Sequence, residues 1–144
     1  MIGLDGGMDD VLAILDEEIV CIDELHFRLV ALQRLLEAGD LELLDRASAE
    51  VEAELFRVRE TELVRSVVVT SAIDRLGGDP EQSRLDDLID LAEATDADRL
   101  RTRGRHLARR ADQIERLGGR AQRLADRQAD DLESVGALAE VMER

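Results

Sequence analysis

The chain has 144 residues, 34 of them acidic and 19 basic, for a net charge of −15; every basic residue is Arg, because Lys is absent. That length accommodates one domain or one elongated helical unit and excludes two large cores. With no Trp, no Tyr and only Phe27 and Phe56, the aromatic walls common in enzyme pockets are missing, and the single Cys21 excludes an internal disulfide or a cysteine-based zinc site.

Apolar residues make up 44% of the chain, a globular share. They are Leu, Ala, Val and Ile interleaved with Glu, Asp and Arg, the composition of long helices. No apolar run reaches the roughly 18–20 residues of a membrane span. Residues Met1 to Gly7 lack the cationic start and long apolar centre of a signal peptide. The expectation is a soluble, cytoplasmic protein with no membrane insertion.

The predicted architecture is all-α: an elongated antiparallel hairpin, a short helix and a long C-terminal helix, together one helical domain with a flexible start at 1–8. Helix 1 is predicted over 9–38, capped by Asp9 or Asp10. Met8, Val11, Leu15, Ile22, Leu25, Leu29, Leu32 and Leu36 recur at helical spacing along it, with Glu18 as the one interruption. Gly39 suits the left-handed C-cap, and Asp40 is placed to cap the next helix. Helix 2 is predicted over 40–76, with Leu41, Leu44, Val51, Leu55, Val58, Val69, Ala72 and Leu76 on one face. So tight a connection makes the two helices antiparallel. The β-branched run Val67-Val68-Val69 lowers helix propensity locally, but no breaker follows until Gly77-Gly78.

Pro80 suits the first turn of a new element, and Ser83 is placed to cap a short helix over 83–93 carrying Leu85, Leu88, Ile89 and Ala92. The last helix is predicted over 96–142, its seam including Leu100, Leu107, Ile114 and Leu117 and continuing to Met142. Gly118-Gly119 lies inside it, where each Gly costs about 1 kcal/mol relative to Ala. The pair reads either as a kink following bundle curvature or as a hinge freeing the tail for a partner.

Charge is segregated along the chain. Residues 1–98 hold 26 acidic residues against 8 Arg, whereas 99–127 hold 10 Arg against 3 acidic residues. Opposite charges flanking an apolar seam set register, so the Arg-rich part of the last helix is expected beside the acidic hairpin. Nucleic acid is a poor partner, since the overall charge repels phosphate and the Arg belt has no aromatic for bases to stack on.

Chemistry-bearing patterns are scarce. Asp23-x-x-His26 has the spacing of half a di-iron carboxylate site, but the other half is missing, and His106 has Arg103 three residues before it. Cys21 reads as a small buried hydrophobe. No nucleophile elbow and no phosphate loop occur. The expectation is a non-enzyme with no metal and no cofactor.

The order of parts resembles the FlgN-type flagellar export chaperones. The resemblance is carried by Leu35-Leu36-Glu37-Ala38-Gly39-Asp40-Leu41 between two long helices, by Arg75-Leu76-Gly77-Gly78-Asp79-Pro80, by the short Leu85-x-x-Leu88-Ile89 element and by the long final helix. It spans roughly residues 9 to 142. The chain departs from the family's Leu-Asn-x-x-Asn in the last helix, reading Leu117-Gly118-Gly119-Arg120-Ala121 instead. The resemblance implies a cytoplasmic chaperone that binds the amphipathic terminal helices of hook–filament junction proteins. It blocks their premature polymerisation and delivers them to the flagellar type III export gate and ATPase complex. It also implies client contact towards the C-terminal helix, here Leu124, Leu132, Val135, Leu138, Val141 and Met142, beyond the Gly118-Gly119 hinge. The rival reading is a coiled-coil structural or regulatory protein that closes its seams as a homodimer. A type VII secretion hairpin is disfavoured by the absent Trp.

Overall fold

Three long stretches with apolar residues at helical spacing each need a partner face, and they find it through one shared helix. The computed structural model describes residues 7–143, with side chains described over 7–120 and at Arg123, Asp126 and Arg127. Its elements are α1 (Met8–Ala38), α2 (Leu41–Arg75), α3 (Leu85–Leu91) and α4 (Ala94–Glu143), and no strand occurs among the described residues. The protein is all-α.

Helix ends follow backbone geometry more than side-chain capping. Gly7 is the N-cap of α1, and its carbonyl accepts the Val11 N–H at 3.3 Å. Asp9 and Asp10 therefore lie inside the first turn and do not cap it; there they favour the positive end of the helix dipole. The earlier start brings Met8 against the core. At the other end Gly39 takes φ 68°, its N–H donates to the Leu36 carbonyl, and the Asp40 N–H donates to Leu35. These two bonds form a Schellman motif. Asp40 occupies the N-cap position of α2 without a side-chain cap bond.

The α2 terminus repeats the device with a second requirement added. Gly77 adopts φ 80°, and the N–H groups of Gly77 and Gly78 donate to Asp74 and Ile73. Gly78 is needed for space: a Cβ there would lie 2.5 Å from Leu91 and 2.7 Å from Ile73. Two adjacent glycines thus serve one turn and one close approach. Pro80 sits in a turn closed by Gln82 N–H on the Asp79 carbonyl, with Asp79 Oδ1 accepting from Glu81 N–H. Ser83 does not cap α3. The N-cap is Arg84, whose carbonyl already takes the Asp87 and Leu88 N–H groups.

α1 lies between α2 and α4, and the Cα atoms of α2 and α4 never come within 8 Å of each other among the described residues. Charge pairs reveal the directions. Arg103 Nε donates to Asp16 Oδ1 at 2.8 Å and Arg110 Nε to Asp23 Oδ1 at 2.8 Å, both across 87 residues. Both partners advance by one heptad, so α1 and α4 run parallel at constant offset. Across the hairpin Arg28 reaches Glu50 at 2.7 Å. The Arg-rich helix beside the acidic hairpin is thus a pairing of α4 with α1 in particular.

The core is densest where all four helices meet. Val11, Ile14, Leu15, Val68, Val69, Ile73, Leu88 and Leu100 are fully buried there, each worth about 1.5–3 kcal/mol of apolar burial. That burial holds the β-branched run in a helix: Val68 and Val69 point inward while Val67 is 60% exposed. Towards the α1–α2 turn the packing thins. Leu41, placed on the buried face by periodicity, lies exposed there, and Leu76, the C-cap of α2 at the opposite end, is exposed as well beside the Gly77 turn. Ile73→Ala is expected to lower unfolding free energy by about 2–5 kcal/mol, as for a large-to-small core change. Val67→Ala, one position before the buried pair, should change it by less than about 0.5 kcal/mol. Urea denaturation of both variants checks the phase of α2.

Candidate functional site

The residues with the most chemistry gather on the α1–α4 and α1–α2 seams. Asp23 Oδ1 accepts from Arg110 Nε and contacts His106 Nε2 at 2.9 Å. Arg110 Nη1 donates to Gln113 Oε1 at 2.9 Å and approaches His26 Nδ1 at 3.5 Å. Partial burial alone would raise the Asp23 pKa, but the hydrogen bonds from His106 and Arg110 outweigh it and hold the carboxyl below its ordinary value. The His26 pKa is also lowered, by burial and then by the Arg110 charge, which favours the neutral imidazole. Asp23-x-x-His26 is therefore part of an inter-helix clamp shared with His106. Among the described residues no group of three or more His, Cys, Asp and Glu is placed to hold a metal.

Cys21 is half-buried and packs against the core without being sealed inside it. Burial and the carboxylates of Glu17 and Glu54 push its thiol pKa up, which keeps it protonated and a weak nucleophile at neutral pH.

Glu18 breaks the apolar spacing of α1 because it enters the core. It is 3% exposed, with Oε1 3.5 Å from Arg65 Nε and Oε2 buried without a hydrogen-bond partner. Burial drives its pKa up to about 7, the Arg65 charge opposing and Glu62 adding to the rise. Glu18 and Ile22 floor a cleft of about 680 Å³ walled by α2, α3 and α4.

Apolar surface also lies where the core periodicity does not point. Both aromatic residues are 62% exposed, Phe27 with Val20 one heptad before it on α1, and Phe56 with Leu63 one heptad after it on α2. These rows form a second heptad phase, out of step with the buried one; only counting both phases separately finds them in the sequence. The expected client residues Leu124, Leu132, Val135, Leu138, Val141 and Met142 fall on the helical backbone of α4, but their side chains lie outside the described residues. The α4 backbone stays helical through Gly118 and Gly119. A Cβ at Gly118 would meet nothing within 4 Å, and one at Gly119 only Arg123 at 3.6 Å. Neither glycine answers a packing demand, unlike Gly104, where a Cβ would press on Leu85 at 3.2 Å.

The Glu18 carboxyl sets a pH dependence with a definite sign. Its folded pKa lies above the unfolded value of 4.5, so the folded state binds this proton more tightly. Stability from this group is full below about pH 4.5 and is lost as pH rises towards 7. Glu18→Gln, neutral throughout, should therefore raise stability by a few kcal/mol, on the order of 3, at pH 8 and by little at pH 5. Urea unfolding of both proteins at the two pH values checks it.

A family model described as FlgN protein matches residues 1–141. No curated protein and no solved structure matches the chain. No helix among the described residues is long and apolar enough to cross a membrane. The match takes in all four helices, α4 as far as Val141. The chain belongs to the FlgN family, a family of flagellar export chaperones that bind flagellar proteins and are not enzymes.

Proposed function

We propose that this protein is a cytoplasmic chaperone for the hook–filament junction proteins. It covers their amphipathic terminal helices, prevents premature polymerisation and hands them to the export gate and ATPase complex. The observation that carries this reading is the register of α4 on α1. Adding the offset of 87 to Ala38, the last residue of α1, gives position 125. The α4 backbone from there to Glu143 therefore runs past the hairpin end with no α1 residue beside it, over roughly 25 Å at 1.5 Å per residue.

An amphipathic helix without an internal partner suits the capture of another by helix-to-helix contact. Leu124, Leu132, Val135, Leu138, Val141 and Met142 are the proposed contact residues. Gly118-Gly119, which satisfies no packing need, is the proposed hinge between the anchored half and the client-binding half of α4. Client segments that fold on binding spend part of the contact energy on ordering, which keeps affinity moderate and release accessible. The exposed rows holding Phe27 and Phe56 favour the second reading, a homodimer closed through the hairpin.

Val135→Asp combined with Leu138→Asp should abolish co-purification of a junction protein while circular dichroism stays helical. Undiminished binding would refute the assignment. A tight homodimer by light scattering, unable to take client, would transfer support to the second reading. Gly118→Ala with Gly119→Ala should stabilise the free helix by about 1 kcal/mol per site and, with the hinge stiffened, weaken client binding in the same pull-down.

A further inference from the structure

The cleft between α2, α3 and α4 is separate from the client face on the far part of α4, and its lining poses a chemical question of its own. Its floor is Ile22 and the Glu18 carboxylate, and its α4 wall is built from Gly104, Ala108 and Ala111. The Leu85 side chain packs over Gly104, and Ala108 and Ala111 keep the rest of this wall low. The polar rim does not balance. Asp86 already pairs with Arg84, Arg101 with Asp98 and Arg65 with Glu18. Glu62, Asp90 and Arg105 make no ion pair among the described residues, so with Glu18 ionised and paired to Arg65 the rim carries one carboxylate more than it has cations. A buried acceptor with no donor costs about 1–3 kcal/mol, more when charged. Glu18 lines the opening, while its Oε2 is sealed from solvent.

The geometry points to a docking site for an amphipathic helix of a partner polypeptide, one Lys or Arg on its apolar face reaching down to the unpartnered oxygen of Glu18. Ile22, Leu107 and Ile89 would cover the aliphatic stem of that side chain, as long basic side chains bury their methylenes and extend only the charged head. The two acidic residues of the rim raise the local concentration of a cation. The inference is independent of the client reading, since no residue of the proposed client face takes part.

Occupancy must couple to protons. Glu18 faces Arg65 and Glu62 from α2, Asp86 and Asp90 from α3, and Arg101 and Arg105 from α4. With its free pKa about 7, an incoming cation binds the ionised form and lowers that pKa. Affinity should therefore fall about tenfold between pH 8 and pH 6, following the ionised fraction.

The test uses the full chain and two synthetic helical peptides of Leu, Ala and Glu, identical except for one Lys or one norleucine on the apolar face. Calorimetry at pH 8 should show the Lys peptide binding at least about tenfold more tightly than the norleucine peptide. Glu18→Gln should erase both that preference and the pH dependence, and Ala108→Phe should block both peptides while leaving the helical signal unchanged. Carbon NMR of the Glu18 carboxyl should show its titration midpoint lowered by the Lys peptide alone. Equal binding of the two peptides, no binding of either, or an unchanged preference in Glu18→Gln would overturn the site. The variant carrying Val135→Asp and Leu138→Asp should hold the Lys peptide as the native chain does. Loss of the peptide in that variant would place its binding on α4 and refute the cleft, leaving the client reading intact.

Discussion

The structure depends on α1 burying two faces at once. Its inner side packs against α2 in one direction and α4 in the other, and the flanking helices do not approach each other. Such an arrangement tolerates no slip. A shift of α4 by one residue along α1 would pull Arg103 and Arg110 off Asp16 and Asp23 together and rotate Leu100 and Leu107 out of the core. Each exposed ion pair alone contributes at most about 1 kcal/mol. Their value lies in choosing one register among several that apolar contact alone leaves nearly equal.

Because α1 is the shared element, packing is uneven along the molecule. At the α3 end four helices enclose the fully buried residues, and Gly78 and Gly104 let neighbouring side chains close in. At the other end the hairpin turns at Gly39, with Leu41 and Leu43 exposed beside it. A densely packed end thus lies opposite a thin one, where apolar side chains stay exposed.

Much of this was legible in the residue pattern, for physical reasons that differ by element. Heptad spacing and two glycine turns are local properties, so the all-α class and the left-handed cap at Gly39 follow from sequence alone. Capping was harder, because a backbone carbonyl competes with a side chain for the same donors: Gly7 displaced Asp9 and Asp10, and Arg84 displaced Ser83. Glu18 looked like an interruption because periodicity ranks residues by polarity and cannot anticipate Arg65 arriving from α2. His106 looked isolated for the same reason, its partner Asp23 lying 83 residues away. Phe27 and Phe56, as the largest apolar residues, invite placement in the core. They lie outside it because the core phase on each helix was already filled by Leu, Ile and Val, which pack between closely spaced helices with less volume.

Glu18 and Gly118-Gly119 share a logic that the remainder of the fold does not follow. Over most of the fold local preference and packing agree: Gly39 and Gly77 stand where φ demands glycine and Gly78 where space does, and many carboxylates pair with an Arg or face water. At these two places the chain accepts a local cost, a buried oxygen without a donor and two glycines in an unobstructed helix, with no return inside the molecule. A small helical protein has stability margins of only about 5–15 kcal/mol, so two such costs are a sizeable fraction of the whole. Departures of this kind concentrate at functional sites. Glu18 lines the cleft from α1, and Gly118-Gly119 lies in α4 beyond Arg103 and Arg110, the residues that pair with Asp16 and Asp23.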